Sequence, residues 1–194
     1  MPDLRDDLCR AIEKVRQASS DFDLNPTVVL PEHRVLKPSA VLMAVTMGGD
    51  VILTKRSSHL KNHPGQIAFP GGRQDDTDDD LIATALREAK EEVSLDPADV
   101  DVLGLLPPHE TVTQYAVTPV IAIIPDDRRF TPEPGEVSEV FQVPLTHLVQ
   151  AGSFRVEGRR WQGQRRNYYT VPYGPYYIWG ATARILRSLA EAWP

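Results

Sequence analysis

Apolar residues recur every three or four positions in three stretches of the chain. These stretches cover residues 3–19, 81–95 and 180–193, and polar or charged residues fill most of the positions between the apolar ones. Residues three or four apart lie on the same face of an α-helix. Each stretch therefore predicts an amphipathic helix that packs its apolar side against a core.

Apolar runs bounded by turn-forming residues predict β-strands in other parts of the chain. The runs of this kind are residues 40–46, 51–54, 102–106, 117–124, 154–161 and 167–171. Gly48-Gly49-Asp50 separates the first two, and it suits a hairpin turn because glycine accepts positive φ. Residues 107–115 are predicted to be a polar loop near the substrate. Strands that alternate with a few helices indicate the α/β class.

The composition is ordinary for one globular domain. The chain has 194 residues, of which 41% are hydrophobic and 25% are charged. Residues 21–37 are rich in proline and charge, and they are expected to form an extended connector. We therefore expect a single domain over residues 1–194, with the first helix and the connector, about residues 1–38, packed on it.

The charge and the cysteine content narrow the class of protein. A formal net charge of −6 argues against broad nucleic-acid binding, which depends on lysine and arginine neutralising phosphates. The single cysteine, Cys9, cannot form an intrachain disulfide, and the first residues lack the basic and apolar regions of a secretory signal. No stretch approaches the roughly 20 apolar residues of a membrane span. We expect a cytoplasmic protein without a nucleic-acid or membrane partner.

The helix predicted at residues 81–95 carries the most distinctive chemistry. Glu88, Glu91 and Glu92 are spaced i, i+3 and i+4, so their carboxylates project from neighbouring positions on one face. Like charges at this spacing destabilise a helix by about 0.2–0.5 kcal/mol per pair. Such a cluster is either a solvated surface or a cation site. Ligands that are all oxygen indicate Mg²⁺ or Mn²⁺.

The segment before this helix supports the cation site. Phe69-Pro70-Gly71-Gly72 precedes the acidic helix, and together they resemble the Nudix box, the signature of hydrolases that split a nucleoside diphosphate linked to another group. The interval from Gly72 to Arg87 is one residue longer than usual, Asp78 or Asp79 replaces a Glu, and Ser94 replaces a Gly. The resemblance implies an α/β/α sandwich around a mixed β-sheet.

The sequence upstream of the box resembles one branch of this family, the coenzyme A pyrophosphatases. The resemblance rests on residues 52–57, on Gly65, and on their spacing from residues 69–72. It implies hydrolysis of CoA to 4′-phosphopantetheine and adenosine 3′,5′-bisphosphate. The alternatives are hydrolysis of ADP-ribose, NADH or another nucleoside diphosphate derivative, and a binding module of the same fold without catalysis.

The resemblance also implies roles for particular residues. Glu88, Glu91 and Glu92 are expected to hold Mg²⁺ or Mn²⁺, and Arg87 is expected to orient Glu91 through an ion pair. Arg87 and Glu91 are therefore placed among the catalytic residues. The base that activates water varies among members of the family. Our candidate is the carboxylate of Glu136, a third catalytic residue, with Glu110 as the second choice.

A small-molecule substrate needs phosphate contacts outside the acidic helix. Gly71 and Gly72 are expected to bind it because glycine lets the backbone approach a ligand closely. Arg56 either holds a phosphate or pairs with an acidic neighbour. For the four arginines of the second hairpin a solvated tip is favoured over a phosphate site; they are Arg159, Arg160, Arg165 and Arg166. His59, His109 and His147 show no spacing typical of zinc, and His63 is a weaker phosphate candidate.

Overall fold

The computed structural model describes residues 3–31, 33–161 and 164–194. Residue 32 of the connector and the tip of the second predicted hairpin, residues 162 and 163, lie outside the described residues. The helices are α1 (Leu4–Lys14), α2 (Leu81–Val93), α3 (Leu145–Leu148) and α4 (Ala181–Ala192). α1, α2 and α4 lie within the three stretches predicted from helical periodicity. α1 ends several residues before its stretch does, because Ser19 and Ser20 pair as a strand instead.

The strands are more numerous than the apolar runs indicate, because several short ones form only through pairing. They are β1 (Ser19–Ser20), β2 (Lys37–Thr46), β3 (Asp50–Arg56), β4 (Ile67–Ala68), β5 (Gly71–Arg73), β6 (Asp101–Leu105), β7 (His109–Glu110), β8 (Tyr115–Ile124), β9 (Val137–Pro144), β10 (Arg155–Trp161), β11 (Gln164–Tyr173) and β12 (Tyr176–Trp179).

The central sheet is mixed. β2 and β8 run parallel over ten residue pairs, from Lys37 opposite Tyr115 to Thr46 opposite Ile124. β3 pairs antiparallel with β9, and β6 pairs antiparallel with β8. Parallel neighbours in a sheet need a crossover, and the segment between β2 and β8 includes α2.

Helices cover both faces of the central sheet, and residues alternate between the faces along β2. Ala40, Leu42 and Ala44 pack with the apolar side of α2, whereas Met43 and Val45 join the cluster that contains α1 and α4. This alternation is the period of two that a strand imposes. The α/β/α sandwich around a mixed sheet is therefore confirmed.

The second predicted hairpin is part of a separate antiparallel sheet of three strands, β10, β11 and β12. The third strand, β12, was not predicted from the sequence. It is joined to the central sheet by Tyr176, whose ring stacks on Phe141 of β9 with 3.6 Å between ring centroids. This strand is held by contacts with distant residues, and no local pattern in the sequence predicts it.

The segment predicted as a polar loop, residues 107–115, contains β7 and a fully buried histidine. The Nδ1 atom of His109 lies 2.9 Å from Ser19 Oγ and its Nε2 atom lies 3.2 Å from Asp21 Oδ1. Ser19 belongs to β1 and Asp21 to the connector, about 90 residues earlier in the chain. A buried polar ring requires such partners, and a local reading of the sequence cannot supply them. Within the described residues no helix is long and apolar enough to cross a membrane.

Candidate active site

α2 begins and ends at polar residues that position its carboxylates. The Asp80 carboxylate accepts a hydrogen bond from the Ala83 amide at 2.8 Å, which caps the first turn. The helix ends at Ser94, which takes the left-handed conformation with φ of 59°. Glycine usually supplies this conformation at a helix end. The Ser94 replacement noted in the sequence therefore keeps the termination geometry.

The three glutamates of α2 have different surroundings. Glu92 is only 4% exposed, and its Oε2 atom accepts a hydrogen bond from the Gly71 amide at 3.2 Å. Glu88 is half-buried beside Gly72, whereas the side chain of Glu91 is 60% exposed. Successive helix positions differ by about 100° in direction. Glu92 points toward the sheet, and Glu91 consequently points away from it.

Burial and mutual repulsion raise the pKa values of the two inner carboxylates. The pKa of Glu92 is raised to about 7; burial is the main cause, the negative charges of Glu88 and Glu136 add to the rise, and the Gly71 amide and Arg56 oppose it. Burial likewise raises the pKa of Glu88, with smaller contributions from Glu91 and Glu136. A divalent cation would offset this repulsion because it favours the ionised form of each carboxylate.

Arg87 ties the helix to the loop that precedes it. Its Nε and Nη2 atoms donate to the two carboxylate oxygens of Asp78, each at 2.9 Å. Its Nη1 atom lies 3.1 Å from both Glu88 Oε1 and Glu91 Oε2. The structure thus pairs Arg87 with Glu91 and also selects Asp78, not Asp79, as the acidic partner. The Arg87 guanidinium holds the pKa of Asp78 well below its usual range.

Gly71 and Gly72 stand where a side chain would not fit. A Cβ atom added to Gly71 would lie 2.4 Å from the Ala40 carbonyl oxygen, and one added to Gly72 would lie 2.4 Å from Glu88 Oε1. β5 pairs with β2 at these residues. The glycines therefore bring the backbone directly against the Ala40 carbonyl and the Glu88 carboxylate.

The loop that carries Glu136 is fastened to the end of α2. The amides of Thr131 and Glu133 donate to the carbonyl oxygens of Val93 at 3.1 Å and Glu92 at 2.9 Å. The Glu136 carbonyl oxygen in turn accepts from the Ser57 amide at 2.8 Å. These bonds hold Glu136 close enough to raise the pKa of Glu88 and of Glu92.

The second candidate base has a different environment. Glu110 lies in β7, and its carboxylate pairs with Arg34 Nη2 at 2.7 Å. It does not contribute to the pKa shifts of the α2 carboxylates. Of the two candidates from the sequence, the structure places only Glu136 beside the acidic helix.

Arg56 is the last residue of β3, and its charge lowers the pKa of Glu92. Its Nε atom is buried and has no hydrogen-bond partner among the described residues. Its backbone is held by Gln66 and Gly65, through bonds of 2.9 and 3.1 Å. A buried donor without a partner is costly. An anionic ligand at this position would satisfy it.

The carboxylates described above have the oxygen donors that a hard cation prefers, although they do not form a complete set of ligands around one position. Among the described residues no three carboxylate, imidazole or thiol groups form a complete metal-binding set. Glu91 is the most exposed of the three α2 glutamates, and it shares the Nη1 atom of Arg87 with Glu88. Glu88 and Glu136 raise the pKa of Glu92, and Glu91 and Glu136 raise that of Glu88. All-oxygen donors of this kind suit Mg²⁺ or Mn²⁺.

Comparison with known proteins identifies the class. A family model described as the NUDIX domain matches residues 36–162, so the chain belongs to the Nudix hydrolase family. Members of this family generally use divalent metal ions. Thus the class inferred from the Phe69–Gly72 segment and α2 is confirmed.

Particular relatives agree with this class. The chain is 46% identical over 140 residues to a protein of Escherichia coli named "Uncharacterized Nudix hydrolase NudL", covering 72% of this chain and 73% of the relative. A Shigella boydii protein of the same name is 47% identical over the same length. The NUDIX domain of Shewanella oneidensis NrtR, solved with ADP ribose, shares the fold with a TM-score of 0.52 and 17% identity, covering 86% of this chain and 94% of that one.

The raised pKa of Glu92 predicts how the stability of the metal-free protein depends on pH. The folded state binds this proton more tightly than the unfolded chain, in which the pKa is near 4.5. The resulting stabilisation is fully present below pH 4.5 and is lost as the pH rises through about 7. We expect the thermal midpoint to fall by about 5 °C between pH 5.5 and 8.

Differential scanning fluorimetry in chelator would measure this decrease. In Glu92→Gln the decrease should be much smaller, because that side chain does not titrate. Equal slopes for the wild type and Glu92→Gln would contradict the assignment of the raised pKa to Glu92.

Proposed function

We propose that the chain, acting as one domain over residues 1–194, hydrolyses the pyrophosphate of coenzyme A and of CoA derivatives. The products would be 4′-phosphopantetheine and adenosine 3′,5′-bisphosphate. The observation that carries the proposal concerns Arg56, which lies in the segment that resembles the coenzyme A pyrophosphatases. Its Nε atom is buried beside the acidic helix and has no hydrogen-bond partner among the described residues. An anion could be held there between the Arg56 guanidinium and the carboxylate cluster of α2.

The proposal assigns a role to each of these residues. Glu88 and Glu92 would hold Mg²⁺ or Mn²⁺, with Glu91 as the third ligand. When bound, the ion neutralises pyrophosphate oxygens and stabilises the leaving phosphate. Arg56 binds a phosphate oxygen. Gly71 and Gly72 would contact the substrate through their backbone.

The water-activating role is assigned to Glu136. Its carboxylate lies on the loop fastened to the end of α2, next to the two inner glutamates. As general base it would accept the proton of the attacking water while α2 keeps the pyrophosphate in place. Arg87 acts through other groups, since it holds α2 against Asp78 and orients Glu91.

The choice of CoA predicts a ranking of substrates. CoA carries a 3′-phosphate that ADP-ribose and NADH lack, and a site shaped for it leaves cationic donors unpaired when that group is missing. Losing a charge-assisted hydrogen bond costs about 1.5–3 kcal/mol, which corresponds to roughly ten- to over a hundredfold in kcat/KM. CoA should therefore exceed 3′-dephospho-CoA, ADP-ribose and NADH by that factor.

The measurement compares kcat/KM for the four compounds with Mg²⁺ and with Mn²⁺, with the products identified by mass spectrometry. If ADP-ribose or NADH were the better substrate, the choice of CoA would be wrong and the Nudix hydrolase class would stand. If none were cleaved, a binding module of the same fold would be favoured.

Glu136→Gln tests the proposed base. We expect kcat to fall by about 10²–10⁴-fold, the usual contribution of a general base. Affinity for Mn²⁺, measured by calorimetry, should change little because α2 retains its ligands. The matched control is Glu110→Gln, which alters a carboxylate already engaged by Arg34 and should keep the wild-type rate. If Glu110→Gln lost the rate and Glu136→Gln kept it, the two assignments would have to be exchanged.

A further inference from the structure

The three-stranded sheet presents arginines and aromatic rings on one face. Residues opposite one another in antiparallel strands share a face, as do alternate residues along one strand. Arg155, Thr170 and Trp179 lie opposite one another, and Glu157 lies opposite Tyr168. We call this surface the arginine–tryptophan face; besides Thr170 and Arg166, which lies opposite Arg159, its members are Arg155, Glu157, Arg159, Tyr168, Tyr177 and Trp179.

The other face of the same sheet is anchored in the core at two positions, although Val156, Arg160 and Arg165 on that face are exposed. Val171 and Ile178 are fully buried in the cluster that contains α4. By contrast, Arg155, Glu157, Arg159 and Tyr177 are exposed. The exposed side chains of the arginine–tryptophan face are thus available to a ligand, although Thr170, between Arg155 and Trp179, is fully buried.

Aromatic and cationic groups are stacked on this face. The Arg159 guanidinium carbon lies 4.8 Å from the centre of the Trp179 ring, and Tyr168 meets that ring edge-on at 5.3 Å. The Tyr177 hydroxyl donates to Glu157 Oε2 at 2.8 Å. Glu157 is therefore engaged by a hydroxyl and not by Arg159.

β10 and β11 carry a net positive charge, whereas the chain as a whole is negative. β10 and β11 contain five arginines and one acidic residue, in a protein whose formal net charge is −6. In the described parts of the chain neither Arg155 nor Arg159 forms an ion pair with a carboxylate. A guanidinium stacked on a ring keeps its in-plane N–H donors available for phosphate.

The arginine–tryptophan face is connected to the site on α2 through Gly180, the residue after Trp179. A Cβ atom on Gly180 would lie 3.6 Å from Gln66 Nε2, and the Gln66 carbonyl accepts from the Arg56 amide at 2.9 Å. In addition, Thr182 Oγ1 donates to the Ile67 carbonyl oxygen at 3.1 Å. The strand end that carries Trp179 is thereby fastened to the segment that positions Arg56.

We propose that the arginine–tryptophan face binds the nucleotide end of the substrate, with a purine ring stacked at Arg159 and Trp179 and a phosphate held by Arg159 and Arg155. The occupant is one nucleotide and not a polymer, because the face offers a single tryptophan–arginine stack beside the hydrolytic site. The identity of that nucleotide as an adenosine 3′-phosphate rests on the proposed function.

The test uses a matched pair of arginines on strand β10. Arg159→Gln removes a charge from the arginine–tryptophan face, and Arg160→Gln removes the same charge from the next position, which points to the opposite face. The probe is adenosine 3′,5′-bisphosphate without divalent cations, with binding followed by calorimetry. We expect Arg159→Gln to weaken binding by about tenfold or more and Arg160→Gln by less than about twofold.

Kinetics with CoA provide the second readout. Arg159→Gln should raise KM by about tenfold with kcat nearly unchanged, because the face binds a remote part of the substrate. If Arg159→Gln does not fold, Arg159→Lys replaces it, with Arg160→Lys as control. Lysine keeps the charge but loses the planar stack, so weaker binding is still expected.

Each outcome decides between the two proposals. Equal effects of Arg159→Gln and Arg160→Gln, with CoA still cleaved, would overturn the nucleotide face and leave the proposed function intact. Selective loss of bisphosphate binding in Arg159→Gln, in a protein that does not cleave CoA, would support the face and reject the function. Tighter binding of a single-stranded oligonucleotide, or a dimer that only Arg159→Gln dissociates, would overturn the nucleotide assignment.

Discussion

Excess chelator is expected to reduce the hydrolysis of CoA to the rate found without protein. Glu92 is buried, and Glu88 and Glu136 repel its charge, so the carboxylate cluster by itself repels an anionic pyrophosphate. A bound divalent cation reverses the sign of the local charge. Without one, Arg56 and Arg87 are cations that act on this cluster, and Arg87 is already engaged by Asp78.

The measurement is product formation by mass spectrometry in excess EDTA and again after Mg²⁺ or Mn²⁺ is added back. Restoration of the rate, together with an unchanged circular dichroism spectrum, would show that the chelator removed the ion without unfolding the protein. Full activity in excess chelator would contradict the metal assignment for α2.

Glu92→Gln is expected to lower kcat by about a thousandfold, because a metal ligand contributes several kcal/mol to the transition state and each 1.36 kcal/mol is tenfold in rate. The change keeps the shape of the side chain, and the neutral amide removes the carboxylate repulsion at a site that is only 4% exposed. The fold should therefore persist. Affinity for Mn²⁺, measured by calorimetry, should decrease along with the rate.

Two variants serve as references for Glu92→Gln. Glu13→Gln makes the same chemical change at an exposed position of α1 and should retain wild-type turnover. Glu91→Gln alters the glutamate that pairs with Arg87 at the surface, and we expect a smaller loss of rate than at Glu92. Near wild-type turnover in Glu92→Gln would exclude it as the principal ligand.

Local patterns in the sequence predicted the elements that depend on nearby residues. The period of the apolar positions indicated α1, α2 and α4, and Gly48-Gly49 indicated the turn between β2 and β3. The signal for the site was equally local, since Phe69–Gly72 and the glutamates of α2 lie within about 25 residues of one another. Spacing along one helix is enough to bring carboxylates to adjacent turns.

Features that depend on distant partners were not predictable in this way. β7 and β12 are too short to show a pattern, and they form because β1, β8 and β11 supply their hydrogen bonds. His109 is buried because Ser19 and Asp21 satisfy both ring nitrogens. Pairing across such distances has no period that a window of residues could reveal.

The sequence by itself determined the class of chemistry, since it contains the glycine segment, the acidic helix and Arg87 in a spacing typical of Nudix hydrolases. The tertiary structure decided the remaining choices. It selected Asp78 over Asp79 as the partner of Arg87, placed Glu136 and not Glu110 beside α2, and turned Glu91 toward the surface. The physical reason is that charge, burial and unpaired donors depend on which residues meet in space, and these meetings join segments far apart in the chain.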